Sequence, residues 1–299
     1  MTRVLFLLVP GVHLLDLAGP AQVFSSARDL GYPYDLAYVA EADQVPSTQG
    51  PVLQADTSLP VLTGDDVVFV PGWRAAPGLG SSGPLTDVTL AWLRAHRGTV
   101  ASVCAGADAL GRAGLLDGRR CTTHHDLQEE LAHRYPEATV VRDVLYVIDG
   151  RIVTSAGIAS GIDLALHLVA TWHGPAIAAR IARTMVVYAR RNGDESQSSA
   201  LLRYRSHVND TVHRIQDLIE ARMSDQLPLT ELARVGRCSP RTVTRLFGRA
   251  TGMTPLRYQQ TLRLERAEHL IGTGATVESA ARAVGFEDAR MLRRLRSRA

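Results

Sequence analysis

The run TVASVCAGA, residues 99–107, places Cys104 where a β-strand passes into a helix through a turn of small residues. A thiol at a helix N-terminus meets unpaired N–H groups and the positive end of the helix dipole, which favour the thiolate and so a nucleophile. A cysteine between small residues is also a good buried spacer, and the spacing alone leaves both roles open. The second kind of chemistry lies in arginine. All 33 basic residues are arginine, and residues 229–249 read LTELARVGRCSPRTVTRLFGR. Thr230 is placed to cap a short helix ending near Val235, Gly236 to make the turn, and Ser239-Pro240 to cap and start a second helix. On that helix Val243, Leu246 and Phe247 face inward and Arg241, Thr242, Arg245 and Arg249 outward, the long donors that base edges and phosphates in a major groove require. Residues 276–296 repeat the pattern, with VESAARA as a helix, Val284-Gly285-Phe286 as the turn, Asp288 as a cap, then Arg290, Arg293, Arg294 and Arg296. One such pattern by itself is equally compatible with a solvated helical hairpin.

The elements that must position these residues differ between the two halves. Residues 1–190 alternate short β-branched runs with helical segments, which builds a flavodoxin-like α/β fold, a parallel sheet covered by helices on both sides. Strands are expected at 3–9, 34–40, 66–70, 99–103 and 151–155, with an antiparallel pair at 139–142 and 145–148 around Asp143. Helices are expected at 19–29, 85–96, 105–113, 125–134, 162–172 and 175–190. The polar stretch NGDESQSS at 192–199 is the natural linker, taken as 191–205. From 206 onward an all-α domain with two helix-turn-helix units is expected, opened by a helix at 208–223 with Val208, Val212, Ile215, Leu218 and Ile219 on one face.

Charge divides the chain at the same place. Residues 1–190 carry 14 arginines against 18 acids, a balance of −4, and residues 191–299 carry 19 against 12, a balance of +7. An acidic domain joined to a basic one points to a small molecule or partner for the first and a polyanion for the second. No run of about 18 uncharged apolar residues exists, and the N-terminal apolar stretch lacks a cationic n-region and a cleavage site, so a soluble cytoplasmic protein with no membrane partner is expected. Three scattered cysteines fit a reducing compartment, with Cys121 as packing and Cys238 as turn filler. No His, Cys and carboxylate spacing suggests a metal, and no cofactor is expected.

Resemblance sharpens both halves. The segments LTELARVGRCSPRTVTRLFGRATGMTPLRY and RLERAEHLI, followed by an alanine-rich helix and a VGF turn, resemble the AraC-type DNA-binding domain, in which a linking helix, here 254–271, joins two helix-turn-helix units. Such domains usually continue into a closing helix, whereas this sequence stops at Ala299. A weaker grip is therefore expected of the second unit, its arginines serving mainly as phosphate contacts. The segment SVCAGADALGRAGLLDGRRCTTHHDL resembles the elbow of the ThiJ/PfpI group of the class I glutamine amidotransferase-like superfamily, which often has a histidine about twenty residues after the cysteine. His124 stands there. LLDLAGPAQVF resembles that group's acidic loop, which puts Asp16 beside the cysteine, and residues 153–170 resemble its final strand and helix. The whole arrangement is similar to GlxA-type transcriptional regulators. It implies Cys104 as nucleophile or sensing thiol, Asp16 sharing or donating a proton, and His124 as base or polar wall. Read alone, Asp16 is also placed as a cap of the 19–29 helix, and His124 as an ordinary core or surface histidine. Gly72, in the loop after the strand at 66–70, borders the same pocket with Ala105 and Gly106, since ligands of open α/β sheets gather at the carboxyl ends of strands.

The leading expectation is a DNA-binding transcriptional regulator whose α/β domain senses an unidentified small-molecule effector, dimerises, or both; a homodimer is the expected assembly. The first alternative is a cysteine-dependent enzyme of the isonitrile hydratase, glyoxalase or amidase type using Cys104 and Asp16. The second is a redox sensor in which Cys104 oxidises.

Overall fold

Successive residues of β1 (Thr2–Leu7) face opposite sides of a sheet, and both sides are apolar: Val4 and Phe6 join one core cluster, Leu5 and Leu7 another. A strand buried on both faces belongs inside a sheet covered by helices on each side. In the computed structural model, which describes residues 2–74, 83–187, 192–194, 197, 204–205, 207–272 and 274–296, β1 lies between β2 (Tyr34–Val39) and β5 (Val67–Val70). The sheet continues through β6 (Thr99–Val103) and β10 (Ile152–Ser155) to β9 (Tyr146–Asp149). Every pairing is parallel except β9 with β10. Helices α1 (Leu14–Asp29), α5 (Ser160–His173) and α6 (Pro175–Thr184) cover one face through Phe24, Leu164 and Ile181. Helices α2 (Asp87–Ala95), α3 (Gly106–Arg112) and α4 (Gln128–Arg134) cover the other through Leu93, Leu110 and Leu131.

Several elements depart from the sequence-based expectation. The hairpin expected around Asp143 does not form. Instead β8 (Thr139–Val140) runs parallel to β7 (Arg120–Cys121), and β9 turns into β10 at Gly150, whose φ is +59°. A short hairpin of β3 (Gln44–Pro46) and β4 (Val52–Gln54) was not expected. Helix α1 begins at Leu14 rather than residue 19, with Pro20 inside it, so Asp16 sits in its first turn and does not cap it. Helix α6 ends at Thr184, and residues 188–190 of the expected helix lie outside the described residues.

The chain divides into two compact units, Met1–Gln197 and Ser198–Ala299. The described residues of the second are helical: α7 (Asp210–Ala221), α8 (Leu229–Gly236), α9 (Pro240–Thr251), α10 (Pro255–Gly272), α11 (Val277–Ala283) and α12 (Ala289–Arg296). They form two small cores. Val212, Ile215, Ile219, Leu232, Val243 and Phe247 build the first, and Ala280, Ala281, Val284, Phe286 and Leu292 the second. Helix α10 joins them, giving Tyr258 and Leu262 to one and Ala267 to the other. Val208, expected on the buried face of α7, precedes that helix and is 99% exposed. Among the described residues no helix is long and apolar enough to cross a membrane.

Candidate functional site

Strand β6 delivers Cys104 at the carboxyl edge of the sheet, in the left-handed backbone region with φ +54°. That conformation costs a non-glycine residue about 1–2 kcal/mol and must be held by its surroundings. The Cys104 N–H donates to Ser155 O (3.0 Å), and Cys104 O accepts from Thr123 Oγ1 (2.8 Å). Space is made by glycine: a Cβ on Gly72 would overlap Asp16 Oδ2 and Cys104 Cβ, one on Gly157 would overlap Cys104, and one on Gly106 would overlap Val70 O. Gly72, Ala105 and Gly106, expected at the pocket, all lie at this elbow.

Asp16 is 1% exposed and reaches it from α1. Its Oδ1 accepts from Ile158 N (2.7 Å), while Oδ2, buried against Gly72, has no hydrogen-bond partner among the described residues. Burial raises the Asp16 pKa above the usual carboxylate range, against the pull of Ile158, His13, Gly72 and Cys104. The Cys104 thiol is pushed up to about 12, first by burial and then by the negative charge of Asp16. This overturns the expectation of a thiolate favoured by the helix N-terminus. Desolvation and a neighbouring carboxylate both disfavour the anion, and together they outweigh the dipole of a seven-residue helix. Both influences favour the neutral thiol beside Asp16.

Two participants were missed. Ile158 has φ +50°, a genuine outlier for a β-branched side chain, and its N–H is the group that holds Asp16. His13 lies close enough to act electrostatically on both Asp16 and His124. His124 itself is not joined to Cys104 or Asp16 by any hydrogen bond among the described residues. Its Nδ1 accepts from Asp126 N (3.4 Å), its ring packs on His125 with centroids 4.1 Å apart, and burial lowers its pKa. Cys121 is buried in the core, and Cys238 packs half-buried against the first helical core. An open, mostly apolar groove of about 660 Å³, lined by Leu14, Leu17, Arg28, Tyr38 and Leu53 among others, shares no residue with the Cys104 site.

In the second unit Ser239 caps α9, accepting from Thr242 N (3.2 Å), and Pro240 occupies its first turn. Arg241, Arg245 and Arg249 are exposed, and no described residue pairs or hydrogen-bonds with them. Thr242, expected outward, is half-buried, and its hydroxyl is bonded to Ser239 Oγ (2.9 Å), which makes it part of the cap. Two details of the turn differ. Helix α8 starts after Pro228 with no side-chain cap from Thr230, and the left-handed turn residue is Arg237 (φ +51°) rather than Gly236. Gly236 is buried instead, where a Cβ would press on Ile215. Asp288 Oδ1 accepts from Arg290 N (2.8 Å) at the start of α12, as expected. Arg290, Arg293 and Arg294 are exposed there, but Arg293 pairs with Glu278 (2.8 Å), Arg296 with Glu268 (2.7 Å), and Arg290 lies 3.7 Å from Asp288. Helix α9 thus presents arginines with no partner among the described residues, whereas Arg290, Arg293 and Arg296 of α12 are matched by acids.

Arg263, near the middle of α10, ties the two small helical cores together. It donates to Met223 O (2.7 Å) and Asp225 O (2.9 Å) beside the first core and to Gly285 O (2.9 Å) in the second turn, and lies 5.5 Å over the Phe286 ring. Arg263→Ala strands these carbonyls. A loss of about 2–4 kcal/mol of stability is expected from hydrogen bonds to a charged donor, read as a lowered thermal midpoint; Arg263→Lys, which cannot span three acceptors, restores only part of it.

Known proteins resemble the chain in both of its parts. The model of the DJ-1/PfpI family matches residues 2–171, and that of a helix-turn-helix domain matches residues 232–298. The HTH-type transcriptional regulator CdhR of Pseudomonas aeruginosa is 29% identical over 94% of this chain and 84% of its own length. An isonitrile hydratase of Pseudomonas putida is 38% identical over 54% of this chain and 68% of its own. The crystal structure of an AraC family transcriptional regulator from Pseudomonas putida superposes with a TM-score of 0.52 at 23% identity, over 62% of this chain and all of that one, a likeness of fold. The first family match spans more than half of the sequence, so the chain belongs to the DJ-1/PfpI family and carries a helix-turn-helix domain on its C-terminal side.

Proposed function

We infer that this protein is a DNA-binding transcriptional regulator in which the α/β unit senses a small molecule at the Cys104 elbow and passes its state to the helix-turn-helix domain. The observation that carries the coupling is Gln197. The stretch expected to be a free linker is bonded to the α/β unit: Gly193 O accepts from Leu145 N (2.8 Å), and Gln197 Nε2 donates to Thr123 O (3.0 Å) and Val144 O (2.9 Å). Thr123 is also the residue whose hydroxyl holds the Cys104 carbonyl. Within the helical unit, Arg205 pairs with Glu220 (2.8 Å) and Tyr204 O accepts from Gln216 Nε2 (2.8 Å). A ligand that moves the elbow acts on Thr123, and so on Gln197, the last residue of the α/β unit before the helical unit begins in sequence. Two copies, each presenting α9, match operator half-sites one helical turn apart, and a regulator of chromosomal DNA works in the cytoplasm.

The test uses the full chain with Gln197→Ala. A panel of small metabolites is screened by thermal shift, and each hit is titrated against operator DNA. The variant should bind the ligand and, without it, the operator as the native protein does, while the ligand's effect on operator affinity disappears. Full ligand response in the variant would remove the coupling role.

A second reading is favoured by the strained elbow with its cysteine and carboxylate. It is a cysteine-dependent enzyme in which the thiol proton passes to Asp16 as Cys104 attacks a small electrophile such as an isonitrile. A substrate screen with no turnover lost in Cys104→Ser excludes it. The redox reading is opposed by the raised thiol pKa, because peroxide attacks the thiolate.

A further inference from the structure

We propose that His124, His125 and Asp126 form a binding site for a first-row divalent cation of borderline softness, Zn²⁺, Ni²⁺ or Cu²⁺. The three residues are consecutive on the turn that follows β7, and one donor atom from each lies within 4.8 Å of the others. Asp126 Oδ2 is 3.5 Å from His124 Nδ1, and Asp126 Oδ1 is 3.4 Å from His125 Nε2. An ion with bonds of about 2.0–2.1 Å in a tetrahedral shell holds its donors about 3.3 Å apart; each histidine lies near that distance from one of the two Asp126 carboxylate oxygens, so a rotation of the carboxylate, with release of the long Asp126 N–H contact to His124 Nδ1, brings the three donors to one ion. Two imidazoles and one carboxylate suit zinc, nickel and copper; magnesium and calcium prefer all-oxygen shells.

The base of the turn is anchored. Thr122 N donates to Thr154 Oγ1 (2.8 Å), Thr123 Oγ1 to Cys104 O (2.8 Å), and Gln128 Nε2 to Thr123 O (3.3 Å). Ligands on a fixed segment lose little freedom when an ion arrives. The side chains of Asp126 and His125 are 74% and 52% exposed, so an ion reaches them from solvent. Three protein donors leave a coordination position for water or for a donor atom of a small molecule. Solvated His–Asp pairing explains the same distances without an ion, and the two accounts differ in what the protein retains. The motif escapes a search for spaced ligands because its donors are adjacent in the chain, brought together by the 3₁₀ turn His125–Leu127.

The experiment is equilibrium dialysis of the full chain against Zn²⁺ and, separately, Ni²⁺, with metal counted per chain. Cys104→Ser and Cys238→Ser are introduced first, because a thiol would itself bind zinc. One ion per chain is expected, with affinity weakened about tenfold or more in each of His125→Ala and Asp126→Asn. Both side chains are exposed, and unchanged circular dichroism confirms folded variants. Failure to retain an ion at stoichiometric concentration, or equal affinity in both variants and the parent, overturns the proposal.

Discussion

Replacing Arg241 and Arg245 together by alanine abolishes specific DNA binding while leaving the protein folded. Both side chains leave the outer face of α9 with no described partner, so a major groove meets donors that need not abandon an existing contact. A good bidentate contact to a base is worth about 1–3 kcal/mol, so the pair together is worth about 2–6 kcal/mol, roughly thirtyfold to twenty-thousandfold in operator affinity. Contacts that fall on phosphate instead weaken binding to all sequences and reduce the salt slope by about one for each arginine lost. Stability stays within about 0.5 kcal/mol, since nothing buried changes. Arg293→Ala is the informative comparison. Arg293 already holds Glu278, and DNA gains it only by breaking that pair, so its loss costs operator affinity less than either Arg241 or Arg245. Equal losses at the two helices would remove the assignment of α9 as the principal reader.

Asp16→Asn speeds alkylation of Cys104. With the thiol pKa near 12, roughly one molecule in ten thousand is thiolate at pH 8, and the native protein alkylates slowly at that cysteine. After burial, the negative charge of Asp16 is the next cause that raises the pKa, so removing the charge lowers it; burial, the larger cause, remains. A nearby charge is worth about 1–3 pKa units, so a fall of about one to two units and a rate rise of about tenfold to a hundredfold at pH 8 are expected. In both proteins the rate climbs tenfold per pH unit below the thiol pKa, and the variant's curve lies at lower pH. Cys121, buried and held near 11, provides the internal reference. An unchanged or slower rate in Asp16→Asn contradicts the pairing of thiol and carboxylate.

How much of this the residues disclosed depends on whether a feature is local. Strands such as β1 and β6 show in their apolar runs, and the Ser239-Pro240 start of α9 shows in its capping chemistry. The β9–β10 turn was legible but assigned to the wrong place: Asp149-Gly150, between apolar runs, is a stronger hairpin signal than Asp143. The three-residue strands β3 and β4 carry too little periodicity to stand out. At the site, proximity of Asp16 to Cys104 came through resemblance, because no local rule links positions 88 residues apart in the chain. Ile158 was invisible, since its left-handed backbone runs against its own preference and is imposed by packing. The thiol's protonation was misjudged for a related reason, the dipole being local and the opposing burial and charge tertiary. Gln197 reads as linker because polar composition does not distinguish a side chain in water from one bonded to backbone carbonyls.

Whether the protein reads DNA through α9 is decided by genome-wide mapping of DNA bound by the native protein and by the Arg241→Ala, Arg245→Ala variant at equal abundance. Discrete sites that vanish in the variant are the predicted result. The absence of discrete sites for the native protein, or the same sites in both maps, would contradict it.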